Sequence, residues 1–497
     1  MPLSPAPLLP GTSPLPTPGR RPPERRALKV GALVAVPLMV VLLAGGQFML
    51  PHILFLAPGF LAQTGNGQPG QAGGAAPFQG FTMTWTRRQS GGGFDTPASL
   101  DNMTFEAKTF HMNTVIIPVV ADMSKRSSSS LSWHASDKDN KDSFDDSVYT
   151  QAISDARKAG LVPILELQVR QQDTLSTIRP GVINETSQWI GIAWSELSSD
   201  RTIFGDSNSI GVVEHQWFDN YTQFAVHYAQ LSEQNHLPYF IIGDQLTNVA
   251  VDTVRTTAKA DPKGIDRGVP GESFPTCSGR RDCGWRHVVH ALRAPTYASF
   301  IGHKSQPGGG YKGKLIYAAS WGAGGASSGV DQSEYDHITW WDAVDYIGVD
   351  AFFPLTQNAD VSISDLQNAW HGKGLDLQGQ GDIYGKLATL SSSFNRPVLF
   401  TAAGYMSVPG SNGNPIGIST TDSDQNEQLN DMQALFQTFS TAPFWEGVFW
   451  YTDEPTQQRS GRPDWKTSTY WGGDTIEASK SAGIWLSQYY KPNPLKP

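Results

Sequence analysis

Eight short apolar runs alternate along this chain with amphipathic stretches of helical period, and that alternation restricts the fold more than any other feature. The runs are Gly80–Trp85, Thr114–Val119, Val162–Leu167, Tyr239–Gly243, Lys314–Ala319, Tyr346–Asp350, Pro397–Thr401 and Gly447–Tyr451. Between them, Leu100–His111, Val148–Ala159, Trp217–Gln234, Trp285–His303, Gln425–Phe439 and Thr475–Tyr490 carry apolar residues at the spacing of helices that cover a sheet. Strands separated by such helices run parallel. Eight units of this kind predict an α/β fold, a (β/α)8 TIM barrel with long loops. In a barrel of that type the residues just after each strand surround the mouth, where function collects.

The N-terminus follows different rules. Residues 1–29 are rich in Pro with Ser, Thr and Gly, a composition that buries no core and predicts a disordered cytoplasmic tail. Val30–Leu50 is apolar except for Gln47, enough to cross ~30 Å of hydrocarbon as a single transmembrane helix. Arg20, Arg21, Arg25, Arg26 and Lys29 precede it, and no charged residue recurs until Arg87, so the positive-inside rule puts the barrel outside the cell membrane. The alternative is a cleaved secretory signal, because Pro37 and Gly45–Gly46 weaken the helix and a cleavage site near Ala62 is available. Residues 51–77 form a juxtamembrane segment and a flexible linker, and 78–497 the barrel domain.

Charge and cysteine usage narrow the partners. The chain carries −9, and five cations against Glu24 in the first 29 residues leave −13 for the remainder, which argues against nucleic acid. Cys277 and Cys283 in TCSGRRDC are predicted to pair as a local disulfide in an exported domain; a metal or redox pair would want a third ligand nearby. No cofactor is expected.

The wording of four stretches adds a resemblance. Trp217–Leu246 (WFDNYTQFAVHYAQLSEQNHLPYFIIGDQL), Asp345–Leu355 (DYIGVDAFFPL), Arg396–Ser407 (RPVLFTAAGYMS) and Gly447–Pro455 (GVFWYTDEP) occur in the order and at the spacing of clan A glycoside hydrolases. The body, from about residue 78 to 490, most closely resembles the β-mannanases of glycoside hydrolase family 113. In that family the fourth strand ends in a Gly-Thr-Glu-Leu type motif whose Glu is the acid/base, and the seventh in a Thr-Glu-Ile-Gly-Tyr type motif whose Glu is the nucleophile. Carried over by position, those roles fall on Gln245 and Ala402, and a Tyr expected near the nucleophile is Phe352.

A retaining glycosidase needs two carboxyl groups ~5–5.5 Å apart, one to attack and one to shuttle a proton. Ala402 has no nucleophilic atom, and the Gln245 amide cannot donate a proton at useful pH. No intact catalytic pair is therefore expected by that mechanism. Fallback acids are Asp453 and Glu454 after the last strand and Asp244 beside Gln245, with Glu166 and Asp350 also at strand ends; strict strand alternation would turn Asp244 away from the face that Gln245 occupies.

What the sequence retains is an aromatic mouth. Trp85, Trp321, Phe352, Phe353, Tyr405 and Trp450 fall at or beyond strand ends, where ring faces stack on sugars; core packing is the alternative for half of them, and the expected role of Trp340–Trp341. The expected partner is a polysaccharide or oligosaccharide, β-mannan-like by resemblance. Three functions stay open: a degenerate saccharide-binding barrel, an active hydrolase with relocated carboxylates, and a structural module. Gly91–Gly93, Gly308–Gly310 and Ser320–Gly329 lack the Lys-Ser/Thr of a phosphate loop and read as mobile loops. Asp137–Asp146 misses the Gly and closing Glu of a calcium loop, and His287 and His290 lack a further zinc ligand, so no metal is expected.

Overall fold

The computed structural model describes residues 77–83, 93–124, 128–134, 136, 144–171, 209–251, 280–302, 304–322, 333–356, 358, 361–373, 381–415, 422–453 and 480–495. All eight expected strands form. They are β1 (Phe78–Met83), β2 (Thr114–Met123), β3 (Val162–Gln171), β4 (Tyr239–Asp244), β7 (Lys314–Ser320), β8 (Tyr346–Asp350), β9 (Val398–Ala403) and β10 (Trp445–Asp453). Each pairs in parallel with its neighbours, and β10 returns to β1 to close the ring. A short antiparallel pair, β5 (Thr296–Ala298) and β6 (Ser305–Pro307), stands outside the ring.

Helices α1 (Pro97–Thr109), α2 (Asp146–Lys158), α3 (Ser209–Gln234), α4 (Thr247–Ala250), α5 (Arg280–Arg293), α6 (Ile363–Trp370), α7 (Ile383–Phe394), α8 (Gln425–Phe439) and α9 (Ser481–Tyr489) occupy the connections. Their starts are written locally. Thr96 caps α1, accepting from the Ser99 amide at 3.2 Å, with Pro97 in the first turn; Ser362 and Asp365 form a reciprocal capping box on α6.

One expected helix ends early. The amphipathic pattern predicts helix from Trp285 to His303, yet α5 stops at Arg293, because Pro295 disfavours helical backbone at the residue before it. The chain then turns into β5 and β6. Gly308–Gly310, expected as a mobile loop, is instead fastened under α5: the Gly308 amide donates to Pro295 O and that of Gly309 to Ala291 O, both at 2.9 Å. A Cβ on Gly308 would stand 2.1 Å from Ala294 O, so the glycine is needed for close approach.

Alternate residues of the strands divide two apolar layers. Inside the ring, Phe78, Ile116, Ile164, Tyr239, Ile241, Ile316, Ala318, Leu399 and Phe449 pack as one cluster. Its floor is aromatic: Phe78 meets Tyr239 edge-on at 5.0 Å and Tyr346 at 5.8 Å. Leu495 packs against the same cluster, and Asn493 O accepts from Asn113 Nδ2 at 2.8 Å, so the C-terminal segment closes the barrel from below. Outside, a larger cluster joins strands to helices, with Trp285 stacked on Trp340 at 4.8 Å and both Trp340 and Trp341 fully buried, as expected for core.

Val30–Leu50, Trp85, Asp137–Lys141, Cys277 and Glu454 lie outside the described residues. Among the described residues no helix is long and apolar enough to cross a membrane.

Candidate functional site

Above the apolar floor the barrel interior turns polar, and two irregularities in the strands decide which side chains meet there. On β4, Ile241 is aligned with Ile316 of β7, but the next aligned pair is Asp244 with Ala318. Ile242 and Gly243 thus oppose the single residue Tyr317, which is a β-bulge. Partners aligned across parallel strands face the same side, and Ala318 belongs to the interior cluster, so the bulge turns Asp244 inward. This corrects the expectation from strict alternation that Asp244 looks away from the site.

Gln245 follows with φ of 48°, a left-handed conformation uncommon outside glycine. Its backbone N–H donates to Ala318 O at 2.8 Å, and its side-chain Nε2 donates to Asp350 Oδ2 at 2.6 Å. Asp244 and Gln245 therefore both reach Asp350, although they are neighbours in sequence.

The second irregularity lies on β9. Val349 of β8 aligns with Phe400, and Asp350 with Ala402, leaving Thr401 as the extra residue. Thr401 Oγ1 donates to Asp350 Oδ1 at 2.8 Å. Ala402 then joins Phe352 and Tyr451 in a small apolar cluster, with Trp321 packed against it. Gln245 and Ala402 are thus each delivered to the mouth by a bulge, one into a polar pocket and the other into an apolar one.

The polar pocket is dense in carboxyl groups. Glu166 on β3 accepts from Gln168 Nε2 at 2.9 Å, and Asp244 and Asp350 hydrogen-bond each other through their side chains. Burial, reinforced by the charge of Asp350, pushes Glu166 up to about 8. Burial raises Asp244 well above the usual carboxylate range, with the charges of Asp350 and Glu166 adding to it. Asp350 is raised less, since hydrogen bonds from Asp244, Gln245 and Thr401 work against its burial.

Glu334, which carries no recognisable signal in the sequence, is a fourth buried acid. It accepts from Tyr317 Oη at 2.5 Å, from the Ser320 amide at 2.8 Å and from Thr247 Oγ1 at 3.0 Å, and burial lifts it to about 7. At the ends of β2 and β3, Asp122 Oδ1 accepts from Arg170 at 2.7 Å and 3.2 Å in a buried ion pair that the sequence reading also missed. Among the described residues no group of three or more His, Cys, Asp and Glu side chains is arranged to hold a metal ion.

The aromatic residues separate by strand parity. Phe352 stands at the mouth beside Ala402, its ring 5.6 Å from that of Tyr451, and half-buried Trp321 bridges this cluster and the outer core. Phe353, Tyr405 and Trp450 belong to the outer core instead: Phe353 packs on Trp370 at 5.6 Å, Trp450 donates from Nε1 to Tyr490 Oη at 3.3 Å, and Tyr405 is buried in the same layer. Tyr451, one residue beyond Trp450, is the mouth residue that sequence reasoning passed over. Interior Phe449 two positions earlier is the signal that finds it, because alternate strand residues share a face.

Of the fallback acids, Asp453 ends β10 opposite Met83, but its side chain is outside the described residues, as is Glu454. His287, expected as an ordinary helix residue, is buried against Phe300 at 4.1 Å. Cys283 is buried near the start of α5, and no cysteine among the described residues is free.

The raised acids make stability depend on pH in a definite direction. A carboxyl raised in the folded state contributes stability that is complete below its unfolded value, 4.5 for Glu166 and Glu334, and lost as pH rises through the folded values near 8 and 7. Asp336, Asp342 and Asp345 are lowered, so their contribution is lost only as pH falls below 3.8. Thermal midpoints in buffers of matched ionic strength should therefore be highest at about pH 5 and decline toward about pH 8. Glu166→Gln should flatten that decline; a midpoint that climbs over the same interval would contradict the placement of these acids.

The fold and site define a class: a closed (β/α)8 barrel with an apolar floor, a polar centre and an aromatic rim at the C-terminal ends of its strands. The model of Glycoside Hydrolase Family 113 matches residues 309–468, a span that includes Asp350, Phe352, Ala402 and Tyr451 but not Gln245. Among solved structures, a GH113 β-1,4-mannanase superposes with a TM-score of 0.54 at 16% identity, covering 83% of this chain and 98% of that one. A complex of a GH113 β-1,4-mannanase gives 0.52 at 16% identity over the same shares. The GH113 β-mannanase AaManA from Alicyclobacillus acidocaldarius, in complex with ManMIm, gives 0.51 at 15% identity over 84% and 97%. No curated protein matches the chain. At these identities the structural likeness establishes the fold.

Proposed function

We propose that this chain is a catalytically degenerate relative of the family 113 β-mannanases, a saccharide-binding barrel held outside the cell by a membrane helix at residues 30–50. The observation that carries the reading is the pair of positions at the mouth. Gln245 offers an amide tied to Asp350, and Ala402 offers a methyl group among Phe352, Tyr451 and Trp321. Neither can attack or protonate a glycosidic bond, whereas the aromatic faces around them provide apolar surface of the kind that stacks on sugar rings. The match to family 113 and the shared fold with β-1,4-mannanases make a β-mannan oligosaccharide the first ligand to try. In this reading Cys277 and Cys283 pair as a disulfide in an oxidising compartment, and cleavage near Ala62 would yield a secreted form.

A second reading, hydrolysis by relocated acids, draws on the carboxyl cluster of Glu166, Asp244 and Asp350. Their carboxyl groups are engaged with one another and with Gln168, Gln245 and Thr401, which disfavours their turning to a glycosidic bond. Incubating the full-length chain with β-1,4-mannan and following both reducing ends and retention on immobilised mannan separates the readings. Binding without turnover is the expected result. Sustained turnover that vanishes on changing an acid of this cluster, or Asp453 or Glu454, and persists on changing Gln245, would establish the relocated acids, and neither binding nor turnover would leave a structural module.

A further inference from the structure

We propose that Asp244 is a positioning residue that works as a neutral acid, donating a hydrogen bond from its own carboxyl to Asp350 and through Asp350 fixing the Gln245 amide at the mouth. The proposal rests on the reading of that mouth as a saccharide site, and its test is chosen so that the two can fail separately.

The argument is one of donors and acceptors. Two carboxyl groups that hydrogen-bond each other inside a protein hold a proton between them, because two carboxylates have only acceptors to offer. Asp350 already accepts from Gln245 Nε2 at Oδ2 and from Thr401 Oγ1 at Oδ1. A carboxylate that receives several donors is the better anion, so Asp350 carries the charge and Asp244 the proton. The bulge at Ile242–Gly243 is what brings Asp244 inward to make this contact. A regular strand would have turned it into the outer core.

The surroundings favour the same assignment. Asp244 is faced by Asp350 from β8, Glu166 from β3 and Glu334 from the segment after β7, and Tyr221 of α3 lies close enough to feel its charge. Burial holds Asp244 protonated, and these neighbours, each neutral or negative, add to it. When Asp244 does ionise, Asp350 loses a donor and gains a like charge at hydrogen-bond distance. Repulsion between the two carboxylates then displaces Asp350, and the Gln245 amide that it orients moves with it.

The test uses the full-length chain, the variants Asp244→Asn and Asp244→Ala, and β-1,4-mannohexaose as probe. Asparagine can still donate to Asp350 but cannot ionise, and alanine can do neither. Infrared spectra at pH 7 are expected to show a protonated-carboxyl C=O component in the native chain that Asp244→Asn removes. Native affinity for the hexaose should fall about tenfold from neutral to alkaline pH. Asp244→Ala should bind weakly throughout, and Asp244→Asn should restore binding and hold it level with pH. An unchanged carboxyl band, a native affinity flat with pH, or an asparagine variant as weak as alanine would each overturn the proposal. If the native chain binds no hexaose at any pH, the saccharide reading fails, while the infrared band still decides where the proton sits.

Discussion

A chain carrying both Gln245→Glu and Ala402→Glu is expected to cleave β-1,4-mannan slowly, while each single variant remains inert. The double-displacement route needs both carboxyl groups, so introducing one leaves the other step closed. At 245 the new acid would sit where Gln245 Nε2 now meets Asp350 Oδ2 at 2.6 Å, beside a carboxylate and near Glu166. Such company favours the protonated form, which is the state a general acid needs, and acid/base assistance of this kind is commonly worth ~10²–10⁴-fold. At 402 the new carboxylate would enter the apolar cluster of Phe352, Tyr451 and Trp321 with little to hydrogen-bond it. Adding Phe352→Tyr supplies a hydroxyl there, so the triple variant should exceed the double. Reducing ends released from mannan over hours, with variants checked for folding by circular dichroism, measure the effect. A folded triple variant that binds mannan and releases nothing would mean that the groove no longer presents the bond between the two positions.

The same two positions show how far the sequence could be read. The eight strands were visible because each is a short apolar run bounded by polar segments, and the ring closes through all of them. Side-chain direction near the mouth was not visible, because it depends on where bulges fall. A period of two assigns Asp244 and Gln245 to opposite faces, yet two residues of β4 oppose Tyr317 alone, and Gln245 then adopts φ of 48°. The same one-residue ambiguity at the end of β10 separates Trp450, packed on Phe436 at 5.8 Å, from Tyr451 at the mouth. Glu334 was invisible for another reason: its partners come from two separate places in the chain, Thr247 at the start of α4 and Tyr317 and Ser320 on β7, and only the pairing of β4 with β7 brings them together.

Replacing Arg170 by alanine should be among the most damaging single changes in the barrel, lowering stability by about 3–5 kcal/mol. Asp122 and Arg170 lie on adjacent strands, where Asp122 of β2 aligns with Arg170 of β3, and both are nearly inaccessible to water at 1% and 8% side-chain exposure. One carboxylate oxygen receives both Nε at 3.2 Å and a terminal nitrogen at 2.7 Å. Removing the cation leaves Asp122 buried with its charge uncompensated, and a protein answers by protonating the acid or by opening the strand ends to water. The first response predicts that the loss shrinks as pH is lowered, since an Asp122 pKa raised in the variant contributes stability that is present at low pH and lost as pH rises through the raised value. Changing both partners, Asp122→Leu with Arg170→Met, removes the charges together and should cost far less than Arg170→Ala alone. Denaturant unfolding of the three chains at about pH 5 and pH 8 resolves these effects, each pH on its own native reference. A cost below about 1 kcal/mol for Arg170→Ala would place the pair in water rather than inside the barrel wall.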